Sequence, residues 1–398
     1  MSESLLILGA SARAAVQSTC LAGLRPLAAD MFADDDLRAC CPVIHVRDYP
    51  RDLVNAAREF AACPWMYTGA LENHLEVLSQ IAKERPLLGN SASVVREVRD
   101  PWKLVGGLQR AGLLCPAILR PHEAAPRGDW LWKPLRSAGG LGIGSGDTYG
   151  PDREASARKD LARIESETVG SPSELQPPFA THYRQQKILG DSIGAVFVGA
   201  RRQARLLGVT RQLVGSHWTG ASGFQYAGSM GPLTLDGIRQ RDLERLGLCV
   251  AARFGLTGLF GVDCIANERG LWTIEVNPRY TASVELLERS LGVPAITWHR
   301  EACLDASLPG YGHQNFDERW GKAVIYATER VRIGGAFYDL VARTNATGSW
   351  PWIADIPAID SEIDSGHPVT TVFASGRSPD EIEQGLRRRA REVFRSLA

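Results

Sequence analysis

The sequence predicts a mixed α/β and α+β chain: a parallel-sheet domain, then a larger two-lobed core, then a small β-rich region closed by a helix. Three observations carry this. Short apolar runs alternate with helical segments through residues 1–95, the pattern of parallel strands joined by crossover helices. From Trp130 to Asn277 most apolar runs are strand-like and follow one another through short turns. The chain has 398 residues, 44% hydrophobic and 23% charged, which is too long for one ordinary domain and apolar enough for a substantial core.

The N-terminal elements follow in order. Leu5–Leu8 reads as a strand ending in the turn Gly9-Ala10-Ser11, and Ala12–Leu24 as a helix. Pro26–Met31, Val43–Val46 and Trp65–Gly69 read as further strands, with helices over Leu53–Ala62 and Leu71–Lys83. Asp30 lies 21 residues after Gly9, the distance of a ribose-binding acid. The dinucleotide fingerprint is nevertheless absent, because Ser11, Ala12 and Ala14 stand where glycines would have to let a pyrophosphate approach. The turn is therefore structural, or holds a substrate anion at a helix N-terminus.

Pro101–Gln109 reads as a helix with proline in its first turn, ended by Gly112. Trp130–Lys133 is a strand, followed by the run Ser137-Ala138-Gly139-Gly140-Leu141-Gly142-Ile143-Gly144. Arg153–Thr168 reads as an exposed helix and 170–178 as a loop. Strands over Tyr183–Leu189, Gly194–Val198 and Ala204–Leu213 precede a helix over Leu235–Phe254. Gly258–Ile265 and Leu271–Val276 are strands joined by Asn267-Glu268-Arg269-Gly270. The tail has strands at Ala323–Thr328 and Pro368–Phe373 and a basic helix over Asp380–Leu397.

Composition excludes several classes. Lys+Arg and Asp+Glu both number 45, so the basic excess of a nucleic-acid binder is missing. None of the eight cysteines forms a C-x-x-C pair, which argues against a zinc site or a disulfide framework. No run reaches the roughly 18 apolar residues of a membrane helix, and the first residues lack a basic signal-peptide region. The expectation is a cytoplasmic protein without nucleic-acid or membrane partners.

Four elements carry chemistry. Lys133 closes a strand just before Gly139, Gly140, Gly142 and Gly144, so an ammonium point charge and free backbone N–H groups can meet a phosphate chain. Lys103 precedes it by thirty residues on a helix. Gln185-Gln186-Lys187-Ile188 forms an extended stretch able to present backbone groups to an adenine edge. The run from Asp263 to Arg279 is the most specific. Glu275 and Asn277 share one face of a strand, and Asp263 lies on the strand that a short turn folds back beside it. Oxygen ligands so arranged suit Mg²⁺, and Arg279 beside them can hold a carboxylate or phosphate.

In this order these elements resemble the ATP-grasp superfamily of carboxylate–amine ligases and carboxylases. The resemblance implies a Rossmann-like preATP-grasp domain over 1–95 and an ATP-grasp core over 96–320, with lobes at 96–190 and 191–320. A C-terminal β-rich region with a final helix would then cover 321–398. It implies that Lys103, Lys133, Ser137, Gly139, Gly140 and Gly142 contact the phosphates, and that Gln186 and Ile188 contact adenine. Asp263, Glu275 and Asn277 would hold magnesium, two ions with manganese as a substitute, and Arg279 would stabilise the acyl-phosphate chemistry. Dimers are common among members, so the resemblance leaves a homodimer open, and nothing in the sequence fixes an interface.

After Asn277-Pro278-Arg279 the carboxylase branch runs into Q-V-E-H, whereas here the run is Tyr280-Thr281-Ala282-Ser283-Val284-Glu285. The Asn-Pro-Arg-x-Thr run is similar to amide-forming members, including the tyramine–glutamate ligases of methanofuran synthesis, a C1-carrier pathway like that of tetrahydromethanopterin. The expected activity joins a small-molecule carboxylate to an amine through an acyl phosphate, releasing ADP and phosphate. His217 and Glu285 are candidate proton acceptors, each more readily structural. The alternatives are a bicarbonate-dependent carboxylase, a non-catalytic ATP-binding regulator and, less compatible with the missing glycines, a nicotinamide-dependent oxidoreductase.

Overall fold

Four parallel strands open the chain in the computed structural model, which describes residues 3–145, 181–310, 318–346 and 350–398. The expected helix Arg153–Thr168 and loop 170–178 lie outside the described residues. The strands are β1 (Ser4–Gly9), β2 (Arg25–Asp30), β3 (Val43–His45) and β4 (Trp65–Tyr67), in sheet order β3-β2-β1-β4. They alternate with α1 (Arg13–Leu21), α2 (Asp35–Cys40), α3 (Leu53–Glu59) and α4 (Leu75–Glu84). Helix α2 was not expected: its six residues are too few for an apolar periodicity to register.

Two helices lead into the core, α5 (Ala92–Val98) and α6 (Pro101–Arg110). The Asp100 carboxylate caps α6 by accepting from the N–H groups of Trp102 and Lys103. A small antiparallel sheet follows, β5 (Ile118–Leu119), β6 (Trp130–Pro134), β7 (Gly144–Ser145) and β8 (His182–Gln186), in order β5-β8-β6-β7.

The large sheet begins with β9 (Asp191–Ala200), β10 (Gln203–Val214) and β11 (Tyr226–Gly231). Helix α7 (Gly237–Phe254) returns the chain to β12 (Gly258–Asn267) and β13 (Gly270–Asn277). Beyond α8 (Val284–Leu291) and α9 (Ala295–Leu304), β14 (Arg319–Tyr326) rejoins the same sheet. A short pair, β15 (Val331–Arg332) with β17 (Glu362–Ile363), flanks α10 (Gly335–Asn345) and β16 (Ile353–Ala354). Strand β18 (Pro368–Gly376) and α11 (Pro379–Leu397) complete the chain, and the sheet order is β13-β12-β9-β10-β11-β14-β18-β16.

The C-terminal strands are thus not a sheet of their own. They extend the core sheet through the β11–β14 pairing. Helices α8, α9 and α10 were not expected from the sequence, and α8 shows why. It is only eight residues long and buries Glu285, Glu288 and Arg289 alongside Val284, Leu286 and Leu287, so its buried face does not read as apolar.

Strand β9 holds the layers together because both of its faces are covered. Ile193, Ala195 and Phe197 pack with Leu243, Leu246 and Val250 of α7 and with Leu104 and Leu108 of α6. The alternate residues, Val196, Val198 and Ala200, pack with Leu287, Ile296 and, from the N-terminal domain, Ile7, Ala15 and Val16. This period-2 division joins the first domain to the core sheet.

Candidate active site

A cavity of about 550 Å³ opens where the N-terminal turns, the small sheet and the large sheet meet. On one side Leu131, Ile143, Ile188, Ile265 and Ile274 bring apolar side chains to its wall. On another, β12 and β13 supply the carboxylates.

Asp263 and Glu275 are direct cross-strand partners. Asp263 Oδ1 accepts from Gln212 Nε2 (2.7 Å) and its Oδ2 from Asn277 Nδ2 (2.9 Å). Burial, and the like charge of Glu275, push Asp263 up to about 7. Glu275 is drawn below the usual carboxylate range by Lys133, whose Nζ lies 3.2 Å from its Oε2. Burial alone would lower Lys133, yet Glu275 and Tyr183 hold it above the ordinary lysine value. The Lys133 side chain is only 5% exposed, whereas 49% of Glu275 is open.

This donor set fits a magnesium ion that shares its coordination with phosphate oxygens. Two facing carboxylates and the Asn277 amide oxygen are few and hard ligands, as Mg²⁺ prefers. Among the described residues no group of three His, Cys, Asp or Glu side chains could hold a metal by itself. The Asp263 carboxyl is raised by burial first and by Glu275 second, and a divalent cation beside it would favour its ionised form.

The phosphate-side residues are partly as expected and partly not. Gly139 and Gly140 line the cavity, with φ of 61° and 79°. A Cβ on Gly140 would lie 1.9 Å from the Phe224 carbonyl oxygen, so only glycine fits. Gly142 packs against Pro134, outside the lining. Ser137 also stands back from the cavity: its carbonyl accepts from Asn73 Nδ2 (3.3 Å) and Arg99 Nη2 (3.2 Å). Lys103 is a correction. It is exposed on α6, its ammonium 2.5 Å from Glu97, because Leu104 and Leu108 take the buried face of that helix. A cation that the sequence did not mark, Arg99, immediately before the α6 cap, helps lower Glu275. It stands outside the cavity lining, its Nη1 and Nη2 donating to Asn73 Oδ1 and the Ser137 carbonyl. Only its position before the capping Asp100 could have drawn attention to it.

Gln186 and Ile188 both line the cavity. The Gln186 side chain accepts from Ala117 N–H (3.4 Å), so it is turned toward β5. Arg279 is fixed by Glu72, which accepts from its Nε at 2.8 Å, while Nη1 reaches the Tyr280 carbonyl and Nη2 the Asn277 amide oxygen. Neither Gln212 nor Glu72 was anticipated. Gln212 had a signal, a polar residue two after Thr210 on one face of an expected strand; Glu72 had none.

The turn at Gly9–Ser11 has the structural role expected of it. Asp30 is 1% exposed; its carboxylate accepts from the N–H groups of Ala12, Phe32 and Ala33. The Asp30 carboxyl is thus spent on backbone N–H groups and not on a ribose, while Ala10 and Ser11 of the turn line the cavity. Glu285 is buried against Arg13, Arg289 and Lys322, and His217 is exposed outside the cavity lining, so neither is placed to accept a proton.

A family model described as an ATP-grasp domain matches residues 98–283. An uncharacterised protein of Methanocaldococcus jannaschii is 20% identical over 390 residues, covering 93% of this chain and 87% of that one. The carbamoyl phosphate synthase large chain of Helicobacter pylori is 35% identical over 63 residues, 16% of this chain but only 6% of that protein's length. Among solved structures, Campylobacter jejuni biotin carboxylase in complex with β-γ-ATP superimposes with a TM-score of 0.70 at 15% identity, over 97% of this chain and 90% of that one. An L-amino acid ligase from Bacillus licheniformis gives a TM-score of 0.67 at 14% identity, over 98% of both chains. At such identity these superpositions establish the fold. The family match places an ATP-grasp domain at residues 98–283, and the superpositions extend the likeness of fold over nearly the whole chain.

Proposed function

We propose that the protein is an ATP-dependent acid–amine ligase that forms an amide bond through an acyl phosphate. One observation carries the reading: Asp263, Glu275, Asn277 and Arg279 line one cavity with Lys133 and the Gly139–Gly140 loop. The apolar wall of Leu131, Ile143, Ile188, Ile265 and Ile274 is the seat for adenine, with the backbone at Gln186–Ile188 along its edge. Lys133 and the loop N–H groups bind the phosphates, and Arg99, outside the lining, adds positive charge beside Glu275. Asp263, Glu275 and the Asn277 oxygen would hold Mg²⁺, which supplies charge neutralisation at the phosphate oxygens when bound.

A substrate carboxylate attacks the γ-phosphorus, the bond to ADP breaks, and an acyl phosphate forms. Positioning and charge stabilisation suffice for this transfer. An amine nitrogen then attacks the acyl carbon, the C–O bond to phosphate breaks, and the nitrogen sheds a proton. Arg279, held by Glu72, directs its remaining N–H groups at the oxyanion of that step. The cavity-lining residues after Arg279 are Tyr280, Thr281, Ala282 and Ser283, without a carboxylate or imidazole to activate bicarbonate. This favours an amine over bicarbonate chemistry.

Product analysis with Mg·ATP across carboxylic acids, bicarbonate and amines tests the reading. ADP and phosphate are expected only when an acid and an amine are both present. AMP, or no turnover despite Mg·ATP binding, overturns it, and ADP release with bicarbonate alone assigns a carboxylase.

A further inference from the structure

The end of the cavity beside α1 is lined by Arg13, Lys322 and Asp355 together with Ser11, Thr68 and Ser283. Arg13 is the obvious residue to bind a substrate anion, but all five of its N–H donors are engaged. Nε donates to Asp355 Oδ1 (2.8 Å), and Nη1 donates to Gln17 Oε1 (3.2 Å) and to Glu285 Oε1. Nη2 donates to Glu285 Oε2 (3.2 Å) and to Asp355 Oδ2 (3.3 Å). Arg13 therefore positions two carboxylates and has nothing left for a ligand.

Asp355 is different. Its backbone is clamped: the N–H groups of Asp355 and Ile356 donate to the two oxygens of Asp36 at 2.9 and 3.0 Å. It is held in the left-handed region, at φ 55°. Burial would raise its carboxyl, but Arg13 outweighs that and keeps it ionised. A carboxylate has about four acceptor sites. Arg13 takes two and the Thr371 hydroxyl a third, while 23% of the side chain remains exposed. One acceptor position is thus left at the cavity.

Lys322 completes the pair. Its ammonium gives one N–H to Glu285 Oε2 (3.1 Å), and no other partner for it occurs among the described residues. Thr68, in the same lining, has a buried hydroxyl with no hydrogen-bond partner. An anionic acceptor and a cationic donor, bridged by the Arg13–Glu285 contact, therefore face this end of the cavity.

We propose that Asp355 and Lys322 select an amino acid as the amine substrate, Asp355 accepting from its amino group and Lys322 donating to its carboxylate. This rests on the ligase reading and adds the substrate class and the two residues that set it. Neither takes part in bond making; both govern which amine stays bound.

The test measures ADP release from Mg·ATP with the twenty L-amino acids, singly and in pairs, and with their N-acetyl and deaminated analogues. Release with amino acids, lost on N-acetylation of the co-substrate, is expected. Asp355→Asn should raise the KM of that amino acid about 10- to 100-fold with the KM for ATP within about twofold, and Lys322→Met should act likewise. Release with non-amino acid–amine pairs but no amino acid overturns this proposal and leaves the ligase reading standing. So does an Asp355→Asn enzyme that is unchanged, or that loses ATP and amino acid affinity equally. If no pair releases ADP the ligase reading itself fails. Calorimetric titration of the same amino acids into the Mg·ADP-bound protein then decides the site: binding abolished by Asp355→Asn sustains it, and absence of binding overturns it.

Discussion

Lys133 and Glu275 pair at 3.2 Å in the cavity proposed to hold the phosphates, and their substitutions have separable effects. Glu275→Gln removes the counter-charge of the buried Lys133 but keeps an acceptor oxygen for it and relieves the repulsion with Asp263. The fold should therefore persist with a modestly changed melting temperature, while ATP turnover falls at least about 100-fold. Retained turnover would remove the metal-side role of this face. Lys133 is buried, and Lys133→Ala should weaken Mg·ATP about 10-fold or more and also destabilise the fold, since Glu275 loses its partner. The contrast between Arg99 and Lys103 is sharper. Arg99→Ala should reduce nucleotide affinity about 10-fold, whereas Lys103→Ala, on an exposed pair with Glu97, should leave it unchanged in the same titration. These residues also mark what the sequence made legible. Glu275 and Asn277 could be paired in advance because a strand repeats every two residues. Lys103 misled because a lysine on a helix declares its type and not its face. Gln212, which supports Asp263, joins the site through the pairing of β10 with β9 and of β9 with β12, and local sequence does not encode that partnership.

Strands were easier to read than helices, and α8 is the reason in miniature. The apolar runs of β9, β12 and β18 announce themselves because these strands are buried along most of their length. Helix α8 buries charge instead. Its Glu288 accepts from Ser18 Oγ, from the Ala295 N–H (2.7 Å) and from the Tyr280 hydroxyl (3.0 Å). Burial outweighs these bonds and pushes its carboxyl from the ordinary 4.5 to about 7. Between those values the folded protein holds a proton that the unfolded chain has released. Stability from this group is therefore complete below about 4.5 and is lost as pH rises through about 7. The buried His299, lowered to about 4, acts in the opposite direction over an overlapping range. Comparing wild type with Glu288→Gln by denaturant unfolding cancels the histidine. The wild type should lose about 1–3 kcal/mol relative to the variant between roughly pH 5 and 7. Parallel curves would mean that Glu288 is ionised in the folded state throughout.

At the scale of the molecule, the cavity exists because three sheets converge on it and each supplies a different need. The parallel sheet sends Thr68, Gly69 and the turn before α1, the small sheet brings Lys133 and Gln185, and the large sheet brings Asp263, Glu275 and Asn277. The sequence made the alternation of the first domain and the acidic strand pair plain. The joining of the C-terminal strands to the core sheet was not, since β14 pairs with a strand nearly ninety residues earlier. That joining has a functional consequence: it carries Lys322 and Asp355 to the same cavity as the phosphate-side residues. The central claim is that a substrate carboxylate oxygen becomes bonded to the γ-phosphorus of ATP. It is tested most directly by supplying the acid labelled with ¹⁸O in its carboxyl group, with Mg·ATP and amine, and analysing the released phosphate by mass spectrometry. One ¹⁸O per phosphate is the predicted result. Phosphate without label, formed alongside amide product, would contradict the acyl-phosphate route.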